Sequence, residues 1–286
     1  PFLSVNLSDA SGVINARLWD RVDQLASRFE SGDFIKVKGH VQKYQNRQQI
    51  VIHQLQVAES SDIQLTDFIT NSQRDPEKLF EELWNYVEKI KNPNIRQLVT
   101  STLENPELKS KLLKSPAAKS IHHAKIGGLV EHIVSICRHM DFLGKHWERL
   151  NTDLLFFGAI FHDIGKVWEL SLEGGIKYTE AGQLVGHIEM ACELIDRESG
   201  KIFGFPQRLR NILKHIVLSH HGKIEYGSPK VPMFPEAYVV AAIDDLDSKL
   251  DSIFSVLDGE TKTDSEWTSF SQLFGRPFLK NTKNLG

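Results

Sequence analysis

The segment FHDIGK (161–166) sets His162 beside Asp163, and the chain also offers His132, His187, His220, His221 and Asp244, each in apolar, helix-like sequence. Imidazole nitrogen with carboxylate oxygen suits borderline to hard divalent cations such as manganese, cobalt, iron or zinc, whereas thiolate-rich sets select zinc or iron–sulfur clusters. A carboxylate directly after a ligand histidine is able to bridge two cations a few ångströms apart while each keeps open positions for water and phosphate. Asp163 is the bridging candidate, and the chemistry such a collection suits is hydrolysis of a phosphate ester. One histidine in an apolar segment is more often a satisfied core residue, whereas the whole set in one chain is the signature of a metal centre.

These residues need rigid supports, and the sequence supplies helices. GGLVEHIVSICRHMDFL carries His132 on a face shared with Ile136 and Met140, and NTDLLFFGAIFHDIGK is an apolar helix ending at the His-Asp pair. After the turn EGG, GQLVGHIEMACELI brings His187 at a helix start, and RLRNILKHIVLSHHG ends a helix at His220-His221, of which either completes the set. The last long helix, EAYVVAAIDDLDSKLDSIFSVL, holds Asp244, Asp245 and Asp247, three carboxylates that are costly to bury unless paired or metal-bound. Positions on five successive elements converge only if the helices form one bundle with the site in its core, a known place for di-metal centres. No CxxC pair, P-loop, GxGxxG or GxSxG is present, which sets aside zinc-ribbon, NTP-binding, dinucleotide and serine-hydrolase chemistry.

The first part of the chain has a different texture. Up to about Val57 short alternating runs are separated by turn residues: Ile14, Ala16 and Leu18 alternate with Asn15, Arg17 and Trp19, and Ile35 and Val37 with Lys36 and Lys38. GHVQKY and QQIVIHQLQV flank the turn QNRQ as a hairpin, so at least four short strands point to a small barrel. Trp19, Phe34 and Tyr44 with Arg17, Lys36, Lys38, Lys43 and Arg47 offer the stacking rings and cations that a single-strand binder uses, although exposed lysines on strands also serve solubility and edge protection. The polar stretch SSDIQLTDFITNSQRD reads as a connection, after which Asp75-Pro76 and two Asn-Pro pairs start three short packing helices.

Bulk composition is consistent with two ordinary soluble domains: 286 residues, 41% hydrophobic and 25% charged. No apolar run approaches the roughly 20 residues that span a bilayer, and the start has no signal-peptide pattern, so the expected location is cytoplasmic. The chain begins in strand-like sequence without an initiator Met, as a truncated or processed form would. Cys137 and Cys192 both lie in apolar helical patterns and read as reduced core residues. A net charge of −3 gives no global attraction to a polyanion, so nucleic acid must be held by local basic patches and bound metal.

The helical His, the His-Asp pair and the distant Asp resemble the HD phosphohydrolase superfamily, at His132, His162-Asp163 and Asp244, with His187 and His220 or His221 as additional ligands of a binuclear member. More narrowly, IHHAKIGGLVEH, FHDIGK, YTEAGQLVGHI, LSHHGKIEYGSP and AIDDLDSK, following an OB-like strand region, resemble the YhaM-type 3′-to-5′ exoribonucleases over nearly the whole chain. The resemblance implies a multidomain α and β architecture, an N-terminal OB-like β-barrel lacking its first strand followed by an all-α HD helical bundle. The expected divisions are 1–65 for the OB-like domain, 66–115 for a linker and packing helices, 116–260 for the HD domain and 261–286 for a C-terminal extension. It further implies trimming of single-stranded RNA or DNA from the 3′ end with two divalent cations, manganese first, then cobalt, iron, magnesium or zinc. On the same pattern His122, His123 and Lys166 contact the scissile phosphate or protonate the leaving oxygen, though Lys166 also suits simple neutralisation of Asp163. No membrane partner is implied, and a homo-oligomer is allowed. Asp245 stands where the pattern leads one to expect a neutral amide, which places extra negative charge near the site. Two rivals are an HD hydrolase of nucleotides or cyclic dinucleotides, and a non-catalytic single-strand-binding protein; a strand-tracking groove argues against the first and a full ligand set against the second.

Overall fold

A computed structural model of the chain describes residues 2–9, 12–20, 22–30, 32–44, 47–59, 62–64, 67–68, 74–119, 125–172, 175–259 and 265–282. Strands β1 (Leu3–Asp9), β2 (Gly12–Leu18), β3 (Ile35–Tyr44) and β4 (Arg47–Val57) form one sheet in the order β1-β2-β4-β3, with the short helix α1 (Val22–Ala26) between β2 and β3. β1 and β2 pair antiparallel, β2 and β4 parallel, and β3 and β4 antiparallel as the hairpin around the polar turn. Period-2 alternation gives the sheet two faces. Ala16, Leu18, Ile52 and Leu55 are buried on one, packed by Leu3, Val5, Leu7, Ile35 and Val37 of the strands and by Leu25 and Phe29. The other carries Arg17 and the half-exposed Trp19 and Tyr44. Among the described residues the sheet is open, with β1 and β3 at its edges, so the expected barrel is not closed.

Helices α2 (Pro76–Val87), α3 (Pro93–Leu103) and α4 (Pro106–Leu112) each start where the sequence signals them. Asp75, Asn92 and Asn105 accept hydrogen bonds from first-turn backbone N–H groups, and proline follows each cap, where its missing N–H costs nothing. Their apolar faces join the same core as the rest of the helical body, so they are part of that body. The remaining elements are α5 (Gly128–His146), α6 (Thr152–Phe161), α7 (Lys166–Glu169), the small hairpin β5 (Leu170–Ser171) and β6 (Lys177–Tyr178), α8 (Glu180–Leu184), α9 (His187–Gly200), α10 (Gln207–Ser219) and α11 (Pro235–Gly259).

Helix α6 is apolar on every side and buried throughout from Asp153 to Phe161, as a helix inside a bundle must be. It packs against α5, α10 and α11, and α9 in turn packs on α10. The buried Asp153 carboxylate accepts the backbone N–H groups of Lys91 and Asn92 at 2.9 and 2.8 Å, which satisfies it without a counter-charge. Cys137 and Cys192 are free and buried, and burial pushes the Cys192 thiol up to about 12. Among the described residues no helix is long and apolar enough to cross a membrane. The sheet meets the helical body at the β5–β6 hairpin, where Lys177 Nζ lies 2.5 Å from Asp33 Oδ1.

Candidate metal centre

The bundle brings one candidate side chain from each of several helix positions into a common pocket. His132 sits in the second turn of α5, His162 caps the C-terminus of α6 with Asp163 next in the chain, His187 opens α9, His220 caps α10, and Asp244 lies midway along α11. Two groups result: His132, His162, Asp163 and Asp244 in one, and His187, His220 and His221 in the other, each with ligand atoms within 4.8 Å of one another.

Asp163 joins them. Its Oδ2 lies 3.7 Å from His132 Nε2 and 3.6 Å from His162 Nε2, while its Oδ1 lies 3.5 Å from both His187 Nε2 and His220 Nε2. Asp244 Oδ1 completes the first group at 3.2 Å from His132 Nε2 and 3.7 Å from His162 Nε2. One carboxylate therefore presents a separate oxygen to each cluster, the disposition a bridging ligand requires.

The tautomers are set from behind. His162 Nδ1 is in hydrogen-bond reach of the carbonyls of Gly158 and Ala159 at 3.0 and 3.1 Å, His220 Nδ1 of the Val217 carbonyl at 2.7 Å, and His221 Nδ1 of the Tyr226 carbonyl at 3.1 Å. A carbonyl only accepts, so each Nδ1 holds a proton and each Nε2 is left with its lone pair toward the pocket. Two histidines have carboxylates behind them instead: Asp247 Oδ2 accepts from His132 Nδ1 at 2.8 Å, and Glu169 Oε1 accepts from His187 Nδ1 at 2.9 Å and from the His187 backbone N–H at 3.0 Å. Carboxylates in this outer position orient a ligating imidazole and raise its basicity. Asp244 and Asp247, three residues apart on α11, thus grip the two ends of one imidazole ring. Neither Glu169 nor Asp247 is among the residues that the sequence reading assigned to the site.

Charge balance around the pocket is unusual. Burial works to lower the His132 pKa, but Asp244, Asp247 and Asp163 outweigh it and lift the value to about 10. His162 goes the other way, to about 4, because burial dominates its neighbours' attraction. Burial, reinforced by His220 and His187, likewise takes His221 to about 4. Asp163 is fully buried, yet Lys166, His162, His220 and His187 hold it well below the usual carboxylate range. The Lys166 ammonium donates to Asp163 Oδ2 at 2.6 Å.

Asp163 Oδ1, His187 Nε2 and His220 Nε2 are buried polar atoms with no hydrogen-bond partner. Such atoms carry a desolvation penalty unless something fills the space between them. A mixed nitrogen and oxygen donor set converging on that space fits a divalent cation in each cluster. Gly165 is what lets the clusters meet: a Cβ there would lie 2.1 Å from the His187 carbonyl oxygen, so only glycine admits the start of α9 against the turn after Asp163.

His122 and His123 lie outside the described residues. Asp245 is turned away from the pocket, half exposed and paired with Lys249 Nζ at 2.6 Å, so its charge is balanced at the surface; one residue on from Asp244 is about 100° around the helix. On the sheet, Phe2 and Trp19 rings stand 4.8 Å apart, and the Arg17 guanidinium lies over both the Phe2 ring (5.0 Å) and the Tyr44 ring (5.4 Å). Lys38 and Lys43 are exposed; Lys36 is paired with Asp62 at 2.5 Å; the side chain of Arg47 is outside those described. Phe34 packs on Phe68 with centroids 4.6 Å apart, close to Gly175 beyond β5, which makes it part of the contact between modules. Phe2 joins the aromatic face unannounced by the sequence reading.

Comparison with known protein families places two matches on these modules: residues 129–249 match the family model described as HD domain, and residues 1–58 that described as OB-fold nucleic acid binding domain. No solved structure matches the chain. An HD domain marks a metal-dependent phosphohydrolase, and the OB-fold marks nucleic-acid binding, so the architecture is that of a hydrolase acting on nucleic acid.

Proposed function

We propose that this chain is a 3′-to-5′ exonuclease that hydrolyses the phosphodiester bonds of single-stranded RNA, and of DNA where the sugar is tolerated. The observation that carries the reading is the pair of oxygens of Asp163 facing two histidine clusters, in a chain whose first module has a face of exposed rings and an arginine. His132, His162, Asp163 and Asp244 would hold one divalent cation, and His187, His220 and His221 with the second oxygen of Asp163 the other, manganese being the first choice. A cation pair supplies a water of lowered pKa near neutral pH and polarises the phosphoryl oxygens.

The chain's own residues set the conditions for that chemistry. Buried walls of α5, α6, α10 and α11 keep the imidazoles fixed, and Asp247 and Glu169 hold two of them in the right tautomer. Lys166, its charge raised in persistence by Asp163 although burial opposes it, stays protonated near neutral pH beside the pocket. It balances Asp163 and would be available to contact the scissile phosphate. The OB sheet holds the strand by stacking on Trp19, Tyr44 and Phe2 and by the charge of Arg17 and Lys38, the combination that makes single-strand binding tolerant of sequence. A free nucleotide has no use for that face. A boundary near residue 65, with the catalytic part of the helical body at 116–260 and the packing helices joined to its core, and a cytoplasmic location belong to the same reading.

The test is a product ladder. Metal-loaded protein given 5′-end-labelled single-stranded RNA is expected to shorten it stepwise from the 3′ end, and Asp163→Ala to stop the shortening while oligonucleotide binding persists. Internal cuts, or turnover unchanged in Asp163→Ala, would overturn the proposal.

A further inference from the structure

His221 is held by a loop whose exposed side chains the metal centre does not use. From Gly222 the chain makes a 3-10 turn, Ile224–Tyr226, and its carbonyl at Tyr226 accepts from His221 Nδ1 at 3.1 Å. The loop is tied on every side. Backbone bonds run from Lys223 to His221, from Tyr226 and Ser228 to Lys223, and from Lys230 to Leu218. Buried Ser228 donates its hydroxyl within reach of the Leu218 and Lys230 carbonyls at 3.1 and 2.8 Å. Gly227 has φ 85°, a left-handed conformation that L side chains rarely adopt, and it closes the turn against His221.

This tied loop holds apolar groups out in solvent. Tyr226 is 58% and Ile224 72% exposed, and Leu184, at the end of α8 three residues before His187, is 78% exposed; the His187 and His221 rings lie 5.3 Å apart. Lys223 Nζ lies 5.1 Å from the Tyr226 ring centroid and 3.4 Å from Glu225 Oε1. A lone exposed tyrosine on a protein surface needs no explanation. A tyrosine whose backbone is bonded to a candidate metal ligand, with an ammonium beside its ring and exposed apolar side chains on the same loop and on α8, is a platform whose main chain is set before anything binds, and such preorganisation lowers the entropic cost of binding.

We infer that the Tyr226 ring is the stacking platform for the nucleobase of the nucleotide being removed, with Lys223 adding positive charge for the polyanion and Leu184 and Ile224 as the apolar rim. This rests on the nuclease reading and names the subsite that receives the terminal residue. Because a ring face accepts any base, the subsite selects for the presence of a base and is tolerant of which one.

Two oligonucleotides test it in the full metal-loaded chain, one ending in an ordinary nucleotide and one ending in an abasic ribose. Wild type is expected to prefer the ordinary end, and Tyr226→Ala to lose that preference by roughly 5- to 150-fold in the ratio of kcat/KM, the range that base stacking on a ring spans. Tyr226→Trp restores it. Calorimetry with a nucleoside 5′-monophosphate and with ribose 5-phosphate gives a readout free of turnover: the wild-type preference for the nucleotide collapses in Tyr226→Ala. An unchanged ratio, or equal losses on both ends and both small ligands, overturns the inference, equal losses meaning that the ring acts only through His221. Should wild type hydrolyse no oligonucleotide at all, the nuclease reading falls, and the binding comparison still decides the subsite.

Discussion

Asp247→Asn separates the two halves of the proposed centre. Asp247 Oδ2 accepts from His132 Nδ1 at 2.8 Å, and its Oδ1 accepts from Ser135 Oγ, so the carboxylate is buried and fully directed. An amide keeps the shape and an accepting oxygen but not the charge. A hydrogen bond to a charged partner contributes about 1.5–3 kcal/mol and a neutral one about 0.5–1.5. The loss is then about 1–2 kcal/mol, or roughly 5- to 30-fold in affinity, in line with the 10- to 100-fold typical of outer residues behind a metal ligand. It should fall on the cation held by His132, His162 and Asp244 and leave its neighbour nearly untouched. Glu169→Gln, behind His187, should do the reverse. Titration of metal-free protein with manganese, followed by calorimetry or equilibrium dialysis, resolves the two steps, and circular dichroism checks that each variant is folded. Equal weakening of both steps by either variant, or of neither, would refute the assignment of one carboxylate to each cation.

Proton release is expected with the first cation. His132 in the metal-free fold has a pKa raised to about 10, so at neutral pH it carries a proton that a cation must displace. Apparent affinity should therefore climb by up to about tenfold per pH unit between pH 6 and 9, and calorimetry in buffers of different ionisation enthalpy should report about one proton released; a pH-independent affinity contradicts this. The sign for metal-free stability follows from the same shift: a folded pKa above the unfolded value of about 6.5 stabilises fully below that value, and the contribution is lost as pH rises toward 10. Gly165→Ala pushes a Cβ to 2.1 Å from the His187 carbonyl, and a backbone oxygen cannot swing aside. A cost of about 1–3 kcal/mol, seen as a lower thermal midpoint together with loss of the second cation, is expected, and an unchanged midpoint would contradict it. Trp19→Ala with Arg17→Ala should weaken binding of long single strands about fivefold or more in a fluorescence anisotropy titration while leaving dinucleotide hydrolysis alone; equal losses would argue that the sheet is not a separate capture surface.

Much of this was readable in the chain because the signals are local. Asp75-Pro76 and the Asn-Pro pairs mark helix starts by stereochemistry, and the alternation around Ala16 and Leu18 marks a two-faced strand. The His and Asp positions were readable for another reason: polar groups in apolar helices demand partners, and five such helices have one place to bring them. What stayed hidden was pairing at a distance. Nothing in KVWEL says that Glu169 meets His187, and nothing in the run of carboxylates at Asp244, Asp245 and Asp247 says that the first and last both grip His132. Asp245 misled because adjacency in sequence is a 100° turn on a helix. Phe2 was passed over because its strand partner, and so its closeness to Trp19 and Arg17, depends on the register of β1 on β2.

The central claim is that side chains from successive helices meet around two cations shared by Asp163. Crystals of the manganese-loaded chain, measured at the manganese absorption edge, test it most directly. Two anomalous peaks about 3.5–4 Å apart, one on each oxygen of Asp163, are the predicted result. A single peak, or peaks bound elsewhere with Asp163 uncoordinated, would contradict it.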